Sequence, residues 1–293
     1  MKKFFDIYEM VTNLMIERLE AGIIPWQMPW RTGTGLPQNM VCRKVYKGFN
    51  FWYLLTVVEE LRSPFFLTYR QVKELGGHVF KGEKGFPVIF WKILENEEEN
   101  GDIRQVPLLR YYTVFNLKQT EGIDENKIPS SDAYDHEFHC IQDAENLVKA
   151  WPDCPDIRVG EREAYYHPVQ DYVGIPAPET FYHDEQFYSA LFHELVHSTG
   201  HRKRLGRHEK LANHQFGSDD YSQEELVAEM GAAFLCRIAG IENVTLDNSA
   251  AYIQSWLRQF KDDKKMVLTA SSQAQKAVDY ILEHHLDGDR LSV

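Results

Sequence analysis

The sequence predicts an α+β chain of two domains, a mixed α/β domain at the N-terminus and a helix-rich domain at the C-terminus. Three observations carry this: strand-like aromatic and β-branched runs gather before residue 120, helical periodicity dominates after 137, and a polar aperiodic segment lies between them. The expected boundaries are 1–125 for the first domain, 126–136 for a linker containing Pro129, and 137–293 for the second.

Taken in order, the first element is an amphipathic helix with Phe4, Ile7, Val11, Leu14 and Met15 at helical spacing, ending near Gly22. Thr68-Tyr69-Arg70-Gln71 is a capping-box pattern that announces a second helix, closed by Gly76-Gly77. His78-Val79-Phe80 and Phe86 to Trp91 read as strands flanking a hairpin turn, Lys81 to Gly85, and a further strand runs through Leu108 to Phe115. In the second domain, Ile141 to Trp151 reads as a helix, Glu163 to Val173 as a strand with a turn near Pro168, and Pro176 to Thr180 as a loop. Helices follow over Phe187 to Ser198, Ser222 to about Ile238, and Ala274 to Leu286.

At 43% hydrophobic and 26% charged residues the composition is globular, which excludes a disordered or fibrous chain. No apolar run approaches the roughly 18 residues of a membrane span, and Asp6, Glu9 and Glu17 interrupt the start where a secretory signal needs an apolar core. The expectation is a cytoplasmic protein with no membrane partner, and the scattered Cys42, Cys140, Cys154 and Cys236 read as reduced thiols. Charge is uneven: residues 1–118 hold 16 Lys+Arg against 13 Asp+Glu, a net of +3, leaving 16 against 31, a net of -15, for 119–293. Such asymmetry points to a polyanion as partner for the first half.

The segment His193-Glu194-Leu195-Val196-His197 carries the chemistry. Two histidines four apart project from one helix face a turn apart, as two ligands of one ion require. Glu194, next to the first, is placed to take a proton from a water that Zn²⁺ acidifies to a pKa of about 7. Gly200 is expected to adopt the left-handed conformation that stops the helix. Glu225 is the leading candidate for a third ligand, with Glu229, on the same face, as the alternative or as an outer partner that orients an imidazole. Against Glu225, Ser222-x-x-Glu225 is itself a capping-box pattern. His201 is a weaker candidate, beyond the expected helix stop. Two histidines and a carboxylate suit Zn²⁺ but also Mn²⁺ or another divalent ion.

In the first domain, Arg43, Lys44 and Lys47 interleave with Tyr46, Phe49, Asn50, Trp52 and Tyr53; Tyr69, Arg70 and Lys73 open a helix, and Lys81 and Lys84 sit in a turn. Cations that track phosphates and rings that stack on bases are what single-stranded DNA binding uses. The competing reading makes most of these rings core and the lysines a solvated face.

The run Phe192 to His201, followed by Arg204-Leu205 and Glu224-Glu225-Leu226-Val227-Ala228-Glu229, resembles the zincin-like domain of the ArdC-type antirestriction proteins carried by conjugative elements. Gly22 with Pro25-Trp26 and Pro29-Trp30, Tyr46 to Asn50, Leu67 to Gln71, Gly76-Gly77 with Lys81 to Gly85, and Val114-Phe115-Asn116 with Gln119 resemble that family's single-stranded-DNA-binding domain. The resemblance implies a mixed α/β single-stranded-DNA-binding domain joined to a gluzincin-like metallopeptidase domain, with two His and one Glu on His193, His197 and Glu225. It implies antirestriction: a partner in single-stranded DNA, and a protein substrate that is DNA-associated or part of a restriction system. The alternative function is occlusion of DNA without proteolysis, the metal holding the fold. The pair Tyr165 and Tyr166 is expected on a strand edge that pairs with an extended substrate.

Overall fold

The computed structural model describes residues 6–27, 35–97, 103–129, 140–181, 183–209, 219–241 and 249–282. The chain divides into two compact units, Met1–Leu14 with Arg31–Asp135, and Met15–Trp30 with His136–Val293. The segment Met15–Trp30 thus belongs with the C-terminal unit, although sequence places it in the first domain. Part of the expected linker 126–136 lies outside the described residues.

The helices are α1 (Ile7–Glu20), α2 (Phe49–Leu61), α3 (Tyr69–Glu74), α4 (Cys140–Ala150), α5 (Asp184–Thr199), α6 (Asp219–Ile238), α7 (Ser249–Asp262) and α8 (Met266–Leu282). The strands are β1 (Gln38–Asn39), β2 (Phe65–Thr68), β3 (His78–Val79), β4 (Phe86–Glu97), β5 (Ile103–Asn116), β6 (Thr120–Glu121), β7 (Asp156–Val159), β8 (Tyr165–His167) and β9 (Tyr172–Ile175).

In the first unit a four-stranded sheet has the order β1-β2-β5-β4, with β4 and β5 forming a long antiparallel hairpin from Phe86↔Val114 to Glu97↔Ile103. The capping box on α3 forms as its sequence requires: Thr68 Oγ1 accepts from Gln71 N at 3.2 Å and the Gln71 side chain accepts from Thr68 N at 2.8 Å. Helix α2 escapes the sequence pattern because Phe49 and Phe51 to Val58 are all buried, so it has no polar face to set a period. Asn50 sits at its start and makes two bonds to edge strand β4, donating to Ile89 O at 2.7 Å and accepting from Ile89 N at 2.8 Å. The expected hairpin around Lys81 to Gly85 is not one. Strand β3 pairs with β6, and the turn passes between two sheets. Gln119 holds it, donating to Glu83 Oε2 at 2.7 Å and Lys84 O at 2.9 Å.

The second unit sets α5 against a three-stranded sheet of order β7-β9-β8, in which β9 is parallel to β7 and antiparallel to β8. The strand with a turn near Pro168 expected over Glu163 to Val173 is a pair of strands, β8 and β9, reversed through that turn, in which Asp171 takes φ 57°, a left-handed conformation that a short polar side chain tolerates. Helix α7 has no counterpart among the elements expected from sequence. Helix α6 begins at Asp219, so Ser222 lies inside it and the capping box expected of Ser222 and Glu225 does not exist. That frees Glu225 from any helix-start duty.

Helices α5 and α6 approach closely at one point. A Cβ on Gly231 would lie 2.8 Å from both Val196 γ-carbons, and Val196 is fully buried. Gly231→Ala should therefore lower the unfolding midpoint, because overpacking costs about 1–3 kcal/mol and exceeds the helix propensity gained, about 1 kcal/mol. Adding Val196→Ala to it should recover part of the loss, a non-additivity that thermal unfolding of the single and double variants reads directly.

Candidate metal centre

Helix α5 presents His193 and His197 on one face, and α6 brings Glu225 across to them. His193 Nε2 and His197 Nε2 are 3.1 Å apart; Glu225 Oε2 lies 3.5 Å from the first and Oε1 3.5 Å from the second. Ligand atoms each about 2.1 Å from a tetrahedral ion are about 3.4 Å from one another. Each imidazole nitrogen has a Glu225 oxygen about that far away, and one ligand atom from each of the three residues lies within 4.8 Å of the others, a donor set that a divalent cation can share. Two imidazole nitrogens face each other at hydrogen-bond distance with a carboxylate beside both, an arrangement that a shared cation satisfies. Glu194, one residue on from His193, is only 9% exposed. Glu229 lies a further helical turn along α6 and is not among the three grouped atoms.

A second carboxylate lies behind the first group. Glu224 Oε1 is 3.4 Å from His197 Nδ1, and Arg207 forks onto it, Nη2 donating to Oε1 at 2.7 Å and Nε to Oε2 at 3.0 Å. Arg207 also donates to Thr199 Oγ1 at 2.7 Å and Val196 O at 2.9 Å. His197, His208 and Glu224 form another close group of possible ligands, but the guanidinium already engages both Glu224 oxygens. Burial by itself depresses the His197 imidazole, yet its bonds to Glu224 and Glu225 prevail and push its pKa up to about 10. Burial pushes Glu225 upward, and its bonds to His193 and His197 outweigh that and hold it well below the usual carboxylate range. Glu224 is likewise held low against burial by His197, His208 and Arg207.

Gly200 ends α5 with φ -71°, not in the left-handed region expected of it. The glycine is needed for another reason: the loop after α5 folds back, His208 N donates to Gly200 O at 2.9 Å, and a Cβ on Gly200 would lie 2.4 Å from His208 Nε2. His201 is buried and stands apart from the group of His193, His197 and Glu225, its Nδ1 3.6 Å from Asp171 Oδ2. Asp171 is the hub of that second cluster. It binds the Arg204 guanidinium and accepts from Tyr166 OH at 2.8 Å, while Arg204 Nε donates to Ser198 O at 2.7 Å. The β8–β9 turn is thereby fixed to the end of α5. Sequence reasoning missed Glu224, Arg207, His208 and Asp171; a carboxylate preceding Glu225 and an arginine in the returning loop are weak signals until the fold joins them.

The nucleic-acid candidates separate by burial. Trp52 is 2% exposed and Tyr46 9%, the latter edge-on to Phe66 at 6.1 Å, so neither ring can stack on a base. Asn50 is committed to the backbone of β4. Those three are corrections: apolar surface around α2 claims the rings, and the strand edge claims the amide. Phe49 and Tyr53 stack on each other at 5.6 Å and are also buried. The cations remain outside. Arg43, Lys44, Lys47, Arg70, Lys73, Lys81 and Lys84 are exposed, with Arg43 over the Phe65 ring at 5.1 Å, Lys73 over Tyr69 at 5.7 Å and Arg70 donating to Glu74 at 2.7 Å. Tyr69 is 54% exposed, and the sheet adds exposed rings that the sequence did not single out, Phe90, Tyr111 and Tyr112.

Residues 142–273 match the zincin-like metallopeptidase family and residues 5–115 the N-terminal domain of anti-restriction factor ArdC. The chain is 36% identical to the antirestriction ArdC protein from the R388 plasmid; the metal-free crystal structure superposes with a TM-score of 0.76 over 98% of this chain and 100% of that one. Its Mn(II)-bound crystal structure gives 0.78 over 97% and 100%, again at 36% identity. Among curated sequences, the chain is 32% identical to the uncharacterized protein y4eC of Sinorhizobium fredii (strain NBRC 101917 / NGR234), covering 98% of this chain and 95% of the relative. It is also 32% identical to an Escherichia coli DNA primase TraC, over 94% of this chain but only 20% of the primase, so it spans about a fifth of that relative's length. Matched at both ends by the two domains of one family and along its length by that family's solved structures, this chain belongs to the ArdC-type antirestriction proteins.

Proposed function

We propose that the chain binds single-stranded DNA through its N-terminal unit and hydrolyses peptide bonds of proteins on or near DNA at the centre built on α5 and α6. The carrying observation is that His193 and His197, on the helix that also holds Glu194, have their Nε2 atoms 3.1 Å apart, with a Glu225 oxygen from α6 within 3.5 Å of each. A divalent ion held by that group would supply a Lewis acid for the scissile carbonyl and would lower the pKa of a bound water so that, on losing a proton, it becomes the nucleophile. Zinc suits the two imidazoles and one carboxylate; Mn²⁺ is the alternative that the R388 protein's Mn(II)-bound crystal raises. Glu194 takes the proton of the attacking water and returns it to the leaving nitrogen. Strand β8, at the edge of its sheet and packed near α5, offers backbone groups to an extended peptide.

For DNA, the supports are the exposed lysines and arginines and the exposed rings Tyr69, Phe90, Tyr111 and Tyr112. Tyr69 with Lys73 beside it combines a stacking face and a phosphate partner. Among the described residues no helix is long and apolar enough to cross a membrane. The protein substrate is proposed to be DNA-associated or part of a restriction system.

Glu194→Gln should lower the rate of casein cleavage, assayed with and without oligo-dT, by about 10²- to 10⁴-fold while leaving bound metal, counted by elemental analysis, at the wild-type ratio. His193→Ala should lose the metal. If Glu194→Gln cleaves as fast as wild type, or protects DNA from restriction as well as wild type does, hydrolysis is not the function and occlusion takes its place. On the DNA side, Tyr69→Ala should weaken oligo-dT binding in fluorescence titration by about 1–3 kcal/mol. Arg70→Ala with Lys73→Ala should flatten the slope of log affinity against log salt by about 0.7 for each phosphate no longer neutralised. Unchanged affinity and slope in these folded variants would remove this surface from the interface.

A further inference from the structure

Glu224 and Arg207 belong neither to the ligand trio nor to the proton transfer, yet their side chains are only 9% and 8% exposed. Resting on the reading of His193, His197 and Glu225 as a metal site, we propose that Glu224, locked by the Arg207 fork, is a positioning residue that keeps a proton on His197 Nδ1 and so turns the Nε2 lone pair toward His193 and Glu225.

An imidazole can offer a lone pair from either nitrogen, and only its hydrogen-bond partner decides which. The Glu224 carboxylate accepts only, so at 3.4 Å from Nδ1 it selects the tautomer with the proton there. Left alone, a glutamate side chain would swing. Here both oxygens are taken by the parallel Nη2 and Nε bonds of 2.7 and 3.0 Å, a geometry that fixes the plane of the carboxylate. Arg207 is anchored in turn. At the end of α5 the Gly200 N–H turns to His197 O at 2.8 Å, and Arg207 Nη2 donates to Val196 O, the acceptor that a continued helix would have used. Its Nη1 reaches Thr199 Oγ1.

Charge favours the same assignment. A bare carboxylate behind His197 would add a full negative charge to a group that already contains Glu225. Arg207 cancels it, so His197 is oriented without an excess of negative field at the cation. The same guanidinium already engages both Glu224 oxygens, which keeps Glu224 in the role of acceptor. A lysine could supply the charge but not the planar fork.

The test uses the full chain loaded with Zn²⁺. In wild type the His197 Nδ1 proton should appear downfield and exchange slowly with water in proton–nitrogen spectra of histidine-labelled protein. In Glu224→Ala and Arg207→Ala it should be lost to exchange, and Zn²⁺ affinity, measured by competition with a chromophoric chelator, should fall about 10- to 100-fold. Glu224→Gln, which keeps a carbonyl acceptor, should retain the proton signal and lose less affinity than Glu224→Ala; Arg207→Lys should fall between wild type and Arg207→Ala. Should the alanine variants melt early yet keep the Nδ1 proton and bind Zn²⁺ within about twofold of wild type, the pair is only a brace and the proposal is overturned. His193→Ala separates the two layers of inference: if it loses Zn²⁺ while Glu224→Ala does not, the positioning role alone falls, and if it too binds Zn²⁺ normally, the metal-site reading falls with it.

Discussion

The contact between α5 and α6 at Val196 and Gly231 is the constraint on which the centre depends. Glu225 lies within 3.5 Å of two imidazoles on the neighbouring helix, and at Gly231 the two helices meet with no room for a Cβ beside Val196. A residue without a Cβ at the crossing allows it. The spacing of these three side chains is thus a matter of packing between α5 and α6 as well as of charge.

Concentrating charge at that crossing costs desolvation free energy, and the chain offsets the cost by pairing. Glu224, Glu225, His197 and Arg207 are all largely buried, and the charged atoms of each have partners of opposite sign or complementary hydrogen-bonding character. Burial alone would neutralise the two glutamates, and their bonds reverse this. Buried ionic networks of this kind add little net stability, while removal of one member leaves an uncompensated charge. Their value lies in fixing geometry. A parallel cluster of Asp171, Arg204, Tyr166 and His201 does the same for the β8–β9 turn, so the edge strand and the ligand helix are tied by two arginines from one loop, Arg204 to the sheet and Arg207 to α6.

In the N-terminal unit the same competition between burial and display takes another form. Aromatic rings are plentiful, and the buried body of α2 with strand β2 claims many of them. What is left outside is a set of lysines and arginines with a few rings at the sheet surface and at the start of α3.

The sequence by itself determined the elements with strong periods or local signatures. Thr68 and Gln71 find each other because a capping box is a contact over three residues, and His193 and His197 share a face because four residues make about one helical turn. The α+β class and the change in composition near residue 130 are legible for the same reason, being properties of short windows. Only the tertiary structure could decide what depends on distant segments: that Glu225 rather than Glu229 joins the trio, that Gly200 is a glycine because His208 lies on it, and that β3 pairs with β6 instead of β4. It also decided which aromatic rings face water, since Tyr46 and Trp52 look like Tyr69 in any local window. The physical reason is one of range. Periodicity and capping act along the chain, whereas burial and long-range pairing are set by which surfaces the fold brings together, and an arginine in a loop says nothing of the carboxylate it will meet until both are in place.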